Sequence, residues 1–412
     1  MNKDIEVLAR ETEEDLKEIH GNINLLVEQN QERVLNAFQN HQVSDAHFNP
    51  TTGYGYDDMG RDKLEEVYAD VFKGEDALVR PQIVSGTHAI TIALFATLRP
   101  YDELLYITGR PYDTLEEIVG VRGENNGSLK DYLIDYNHID LTEDGTVDFE
   151  RVQASITSKT KVVGIQRSKG YADRPSFCIS EIEEMIRFVK EIDPNVVVFV
   201  DNCYGEFAED REPIEVGADL IAGSLIKNPG GGLARTGGYI AGRKDLIEQC
   251  GNRLTAPGLG KETGASVSSL QDMYQGLFLA PHVVGEAMKG AVFTSRLLEK
   301  LGFNTSPSYD VKRTDLIQSV TFDTSEQMVA FCQQIQKSSP INSHVTPHPS
   351  YMPGYEHDVI MAAGTFVQGA SLELTADGPI RPPYTAFVQG GLTYSHVKIA
   401  IKSAVKNLLK EV

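Results

Sequence analysis

The chain has 412 residues and carries 38 lysines and arginines against 59 aspartates and glutamates, a net charge of −21. So acidic a protein repels nucleic-acid phosphates and anionic lipid headgroups, which excludes both as expected partners. A hydrophobic fraction of 41% is that of a folded globular protein, and at this length a large domain with a smaller companion is expected.

Residues from about Asp4 to Asn40 set Ile5, Leu8, Leu16, Ile19, Leu25, Val34 and Phe38 among charges at roughly helical spacing, predicting N-terminal helices that pack on another surface. The opening MNKDIEVLARETEEDLKEIH lacks the apolar core of a signal peptide. No run of about 18 apolar residues is available to span a bilayer, so a cytoplasmic protein is expected. After the break TTGYGYDDMG, the stretch RDKLEEVYADVFKG predicts a helix that ends at Gly74 as its C-cap.

Between about Ala77 and Ile247, seven short apolar runs alternate with helical patterns: ALVRPQIV, ELLYIT, SLKDYLID, KVVGIQ, VVVFV, DLIAGS and GGYIAG. Buried strands separated by helices predict an α/β fold with a mostly parallel seven-stranded sheet between helices. A long helical segment follows from about Ser266 to Leu301. The runs LIQSVTF, GASLEL and YTAFVQG and a final helix near Ser395 to Leu409 predict a smaller α+β C-terminal domain. The expected division is a helical segment at 1–48, a large domain at 49–290 and a small domain at 291–412.

Ligands of such sheets bind beyond the carboxyl ends of the strands. VVVFV delivers Asp201 directly at its end, and DLIAGSLIKNPGGG delivers Lys227 one strand-helix-strand step later. A strand-end aspartate alone commonly caps a helix, and a Gly-flanked lysine is commonly solvated. Correctly ordered on successive strands, the two form the constellation that pyridoxal 5'-phosphate (PLP) requires. The cofactor needs a lysine amine that can form an imine with its aldehyde, small neighbours that let it approach the backbone, and a carboxylate that keeps its ring nitrogen protonated. Gly223, Ser224 and the turn from Pro229 to Gly232 supply the space.

The strand-to-helix turn Ser85-Gly86-Thr87, in PQIVSGTHAITIALFATL, supplies backbone amides and hydroxyls for a phosphate, though it also reads as an ordinary N-cap. His88 either stacks on a ring or faces the helix. PGGGLARTGG has neither the nucleotide P-loop order nor the dinucleotide G-x-G-x-x-G spacing. Lys261 and Lys169 are the rival cofactor lysines, and neither follows a strand with an aspartate one unit upstream. Cys178, Cys203, Cys250 and Cys332 form no C-x-x-C pair and the ten histidines show no ligand spacing, so no metal and no disulfide framework is expected.

DNCYGEF followed by DLIAGSLIKNPGG resembles the signatures of the cystathionine lyase and methionine gamma-lyase group of fold-type-I PLP enzymes. TGYGYDDMGRDKLE, VSGTHAI, IQRSKGY, NPGGGLARTGGYIAG and FVQGGLTYSH together resemble the bacterial aluminium-resistance family of carbon-sulfur lyases related to methionine gamma-lyase, over nearly the whole chain. The resemblance implies a fold-type-I PLP-dependent transferase architecture, a homotetramer built as a dimer of dimers, and active sites shared across the dimer interface. It makes Lys227 the cofactor lysine, Asp201 the ring-nitrogen partner, and Ser224 with the Gly86 and Thr87 amides the phosphate contacts. It puts Tyr112 on the cofactor ring and Tyr54 and Tyr56 in the segment that reaches the neighbouring subunit's phosphate. Against the family pattern, Arg167 or Ser168 stands where an asparagine contacts the cofactor, and Ile226 replaces a second hydroxyl. Arg381, in DGPIRPPY, is the candidate for the substrate carboxylate, with a surface arginine on a Pro-rich loop as its alternative.

The implied activity is a PLP-dependent β- or γ-elimination on a small sulfur-containing amino acid. Transamination, aldol cleavage, or PLP binding without turnover are the rival readings.

Overall fold

The structure is a computed structural model that describes residues 5–123, 127–353 and 355–411. Helices α1 (Ile5–Asp15) and α2 (Lys17–Asn40) open the chain, and α3 (Met59–Phe72) precedes the large sheet. That sheet is built from β1 (Asp76–Arg80), β2 (Glu103–Tyr106), β3 (Asp135–His138), β4 (Thr160–Gln166), β5 (Val197–Asp201), β6 (Leu220–Ser224) and β7 (Gly238–Gly242). Between them run α4 (Gly86–Thr97), α5 (Asp113–Val119), α6 (Phe149–Ser155) and α7 (Ile179–Ile192). The strand order is β1-β7-β6-β5-β4-β2-β3, parallel from β6 through β3, with β7 antiparallel to both of its neighbours.

Alternation along the strands divides the core between the two faces of this sheet. Val197 and Phe199 of β5 join Ile90 and Leu94 of α4 and Leu115 of α5 on one face. Val198 and Val200 join Ile182, Met185 and Ile186 of α7 on the other. β5 is buried at every position, as a central strand covered on both faces must be.

Two details differ from the sequence expectation. In SLKDYLID only the last residue enters a strand: β3 begins at Asp135, and Lys130–Tyr132 form a 3₁₀ turn. α3 ends on Lys73, whose φ of 60° is left-handed, and not on Gly74; Gly74 is needed because a Cβ there would lie 2.9 Å from the Gly242 nitrogen.

After α8 (Lys244–Leu254), α9 (Leu270–Lys300) runs unbroken through residue 290, where the expected large and small domains meet. The second part follows as β8 (Asn304–Ser306), β9 (Gln318–Phe322), α10 (Ser325–Lys337), β10 (Val359–Ala362), β11 (Thr375–Pro379), β12 (Tyr384–Gln389) and α11 (Tyr394–Glu411). Its sheet is antiparallel throughout, in the order β10-β11-β12-β9-β8. The expected strand GASLEL is displaced to the next residues, TADGP. Pairing of Ala376 with Val388 and Ile360 with Gly378 outweighs the poor strand propensity of Asp, Gly and Pro.

The chain is therefore an α/β protein with a seven-stranded, mostly parallel sheet between helices and a smaller antiparallel sheet of its own in the C-terminal part.

α9 also seats the turn after β6. Gly276 of α9 meets the backbone of Gly230 so closely that an added Cβ would fall 2.2 Å from the Gly230 oxygen, and a Cβ at Gly231 would fall 2.1 Å from that of Gly276. Gly276→Ala is expected to destabilise the protein by about 1–3 kcal/mol through overpacking, read as a lowered midpoint in urea denaturation. Wild-type stability would show that this contact yields freely.

Candidate active site

The strand ends converge on one cavity of about 170 Å³. Gln166 is the register partner of Asp201, and Asp201 that of Ala222, so the carboxyl ends of β4, β5 and β6 lie side by side. Counting by twos from Val162, Val197 and Leu220, Gln166, Asp201 and Ser224 share the sheet face on which α4 packs. The cavity lies there, walled also by Ser85, Gly86, Thr87, Tyr112, Cys203, Tyr204, Ile226 and Lys227.

Ser85 caps α4, its hydroxyl accepting from the His88 amide at 3.0 Å, which leaves the first-turn amides facing the cavity wall. A Cβ at Gly86 would sit 3.2 Å from Cys203 Sγ and 3.3 Å from Ser224 Cβ, so the helix start lies tightly against β6 and a larger residue would push these side chains aside by a few tenths of an ångström. Thr87 Oγ1 is 3.0 Å from Thr114 Oγ1. His88 does not line the cavity; its Nδ1 accepts from the Val84 amide at 3.2 Å.

Lys227 Nζ lies 4.0 Å from the centroid of the Tyr204 ring. Burial opposes its charge, but the Cys203 thiol, the Tyr204 phenol, Asp201 and Glu206 outweigh that and hold its pKa above the ordinary lysine range. Burial raises the Asp201 pKa, Lys227 and the Cys203 amide opposing it, the latter donating to Oδ1 at 3.2 Å. Behind Lys227, Glu206 is pushed up to about 8, chiefly by burial, and accepts from Tyr239 Oη at 2.8 Å.

Tyr112 begins α5 and covers the opposite wall. Its ring rests on Gly170, where a Cβ would approach to 2.8 Å, and its hydroxyl is 2.6 Å from that of Tyr355. Tyr171 packs at 6.0 Å from Tyr112, centroid to centroid, and donates at 2.6 Å to Asp377, a buried carboxylate of β11 that also accepts from Gln389. Burial pushes Asp377 up to about 6, partly offset by the Tyr171 bond.

The rival lysines are committed elsewhere. Lys261 is ion-paired with Asp76 and Glu65. Lys169 donates to Ser306 and Ser319 and ties β4 to the C-terminal part. Arg167 points to the other sheet face, one residue out of phase with Gln166. There it donates to Asn202 at 2.9 Å and pairs with Glu209 at 3.1 Å and Glu212 at 3.5 Å, so it does not reach the cavity. Ser168 lines the cavity, but its hydroxyl is spent on Asp315 at 2.6 Å. The residue that β4 directs inward is Gln166, passed over in the sequence although it is the strand end aligned with Asp201. Tyr54 and Tyr56 are exposed and stacked on one another at 5.5 Å, outside the cavity. Arg381 lies in an adjoining chamber, with Tyr112 and Gln166 in the shared wall.

These residues fit PLP. The cavity offers a lysine amine, a buried carboxylate, hydroxyls beside a helix start, and a glycine cradle that a Cβ would fill. The Gln166 Oε1 is buried with no hydrogen-bond partner among the described residues and so has acceptor capacity to spare.

The sequence model of the methionine gamma-lyase family matches residues 5–409. The protein YnbB of Bacillus subtilis is 69% identical over 404 residues, 98% of this chain and 96% of that protein. A Listeria monocytogenes structure, provisionally named a cystathionine beta-lyase involved in aluminum resistance, is 63% identical with a TM-score of 0.96, covering 98% of this chain and 100% of that one. At 16% identity, the PLP-dependent Escherichia coli protein YhfS shares the fold with a TM-score of 0.63, covering 94% of this chain and 96% of its own. Its sequence and its fold together place this chain in the methionine gamma-lyase family.

Proposed function

We propose that the chain is a PLP-dependent carbon–sulfur lyase that cleaves a small sulfur-containing amino acid by β- or γ-elimination, giving a thiol and, with water, ammonia and a 2-oxo acid. One observation carries this reading: Lys227 and Asp201, delivered by neighbouring strands, meet in a single cavity against the start of α4. The family and its relatives support the choice of carbon–sulfur cleavage.

In this reading Lys227 anchors the cofactor, Asp201 holds its ring nitrogen, Tyr112 lies on the ring, and Ser85, the Gly86 and Thr87 amides and Ser224 hold its phosphate. When bound, the cofactor supplies an electron sink for the pair left at the substrate Cα. Lys227 Nζ, once released as a neutral amine, is the group that takes the Cα proton. The Tyr112 and Tyr355 hydroxyls form a second place where a proton can be held, beside the departing sulfur. Arg381, with no ion pair among the described residues, receives the substrate carboxylate. The exposed Tyr54–Tyr56 segment reaches a neighbouring subunit's phosphate in a homotetramer that works in the cytoplasm.

Borohydride reduction of PLP-loaded protein followed by peptide mapping is expected to label Lys227. Label on Lys169 or Lys261 would falsify the assignment. Lys227→Ala is expected to remove the label and to lower thiol release from cystathionine, cystine or methionine by at least about 10²–10⁴-fold. Asp201→Asn is expected to keep the label yet lose roughly 10²–10³ in kcat, because a neutral amide no longer favours the protonated ring. If the wild-type protein releases no thiol from any of these compounds, the lyase reading is wrong.

A further inference from the structure

The residues that follow the two members of the proposed cofactor pair are both fully buried asparagines, Asn202 after Asp201 and Asn228 after Lys227. Both are tied into the segment 202–212, which contains no helix or strand. Asn228 Nδ2 donates to the Glu206 carbonyl at 2.9 Å. Asn202 Nδ2 donates to Glu212 at 3.1 Å, and its Oδ1 accepts from Arg167 at 2.9 Å. The backbone of this segment is strained. Tyr204, whose ring meets Lys227 Nζ, has a φ of 72°, and Phe207 one of 62°. Bulky residues hold this left-handed conformation only where their surroundings impose it.

The constraint comes from the sheet face away from the cavity. Arg167 is fully buried and spends its guanidinium on three side chains of the segment: Asn202, Glu209 at 3.1 Å and Glu212 at 3.5 Å. Glu209 also accepts from the Ile179 amide at the start of α7, and Glu212 from the Phe207 amide, each at 2.9 Å. Gly205 lies against the arginine, where a Cβ would fall 2.4 Å from its Cδ. Helix α2 closes the segment from outside, Asn30 donating to the carbonyls of Phe207 at 3.0 Å and Glu209 at 3.1 Å. A planar fork of fixed donors is suited to bridging three acceptors at set directions, which the single ammonium of a lysine is not.

We infer that Arg167 is a positioning residue of the proposed active site: by bridging Asn202, Glu209 and Glu212 it holds the strained segment so that Asp201, Tyr204 and the Lys227 turn keep their places. The inference rests on the proposed PLP reading and deepens it. The titratable groups whose charges reach Asp201 or Lys227 are Cys203, Tyr204, Glu206, Tyr106, Arg174 and Asp377. The Arg167 side chain bonds to none of them, so it acts through the place of the segment and not through contact with the reacting groups.

The test follows the visible absorption of the PLP-loaded protein across pH, a readout of the lysine–cofactor linkage that needs no turnover. Arg167→Lys keeps the positive charge and loses the fork; Asn202→Ala keeps every charge and cuts the link to Asp201. Each is expected to shift the midpoint of that titration by about one pH unit or more and to weaken PLP affinity about tenfold. Arg80→Lys, at an equally buried arginine paired with Glu65 on the edge strand β1, is the control for lost stability: a lowered urea midpoint with the titration unmoved is expected. If both test variants titrate as the parent does, or if Arg80→Lys shifts the titration as far, the inference is overturned. Should Arg167→Lys fail to fold, Asn202→Ala decides alone. A shift in the variants without thiol release by the parent upholds the positioning role and removes only the lyase chemistry, whereas a parent with no visible PLP band overturns both.

Discussion

A lysine ammonium and an aspartate carboxylate buried at the end of a sheet core each need a partner, because neither can draw fully on water there. Everything around Lys227 and Asp201 follows from that requirement. Asp201 gains the Cys203 amide, Lys227 gains the face of Tyr204, and Glu206 sits behind them with its pKa pushed up to about 8 by burial. Glu206 is the smallest of the four influences that raise the Lys227 pKa, so the lysine is governed mainly by Cys203, Tyr204 and Asp201 on the cavity side.

The opposite sheet face carries the matching support. Arg167 joins the Asn202 side chain to Glu209 and Glu212, and Asn202 is the residue immediately after Asp201. The same two-residue alternation that turns Asp201 into the cavity turns Asn202 into this ion cluster. The position of the carboxylate is therefore fixed from behind by charges that never meet the ligand.

The strand ends were readable because β5 and β6 are continuous apolar runs that stop at a polar residue, and because Gly86 and Gly223 announce close backbone approach. Gln166 was not, although the rule that exposed Asp201 applies to it equally: KVVGIQ ends in a polar residue, and only the parity of the strand separates Gln166 from Arg167. Arg167, the charged residue of the pair, lies on the face away from the cavity. The second sheet was harder, since β11 is made of Thr, Ala, Asp, Gly and Pro and owes its extended form to β10 and β12. Asp377 and Tyr355, more than 120 residues from Lys227 along the chain, became part of the site only through that sheet and its preceding loop. No local pattern marks them.

α9 is one continuous helix of 31 residues, about 46 Å of helical rise. Near its start Gly276 is wedged on the backbone of the Lys227 turn, and near its end Gly290 is wedged on Val397 of α11. Pro281 lies between the two contacts, so the helix is packed tightly on either side of the position where its own hydrogen-bond ladder is interrupted. The C-terminal half that carries Arg381 and Asp377 and the turn that holds Lys227 are thus both built against one and the same helix.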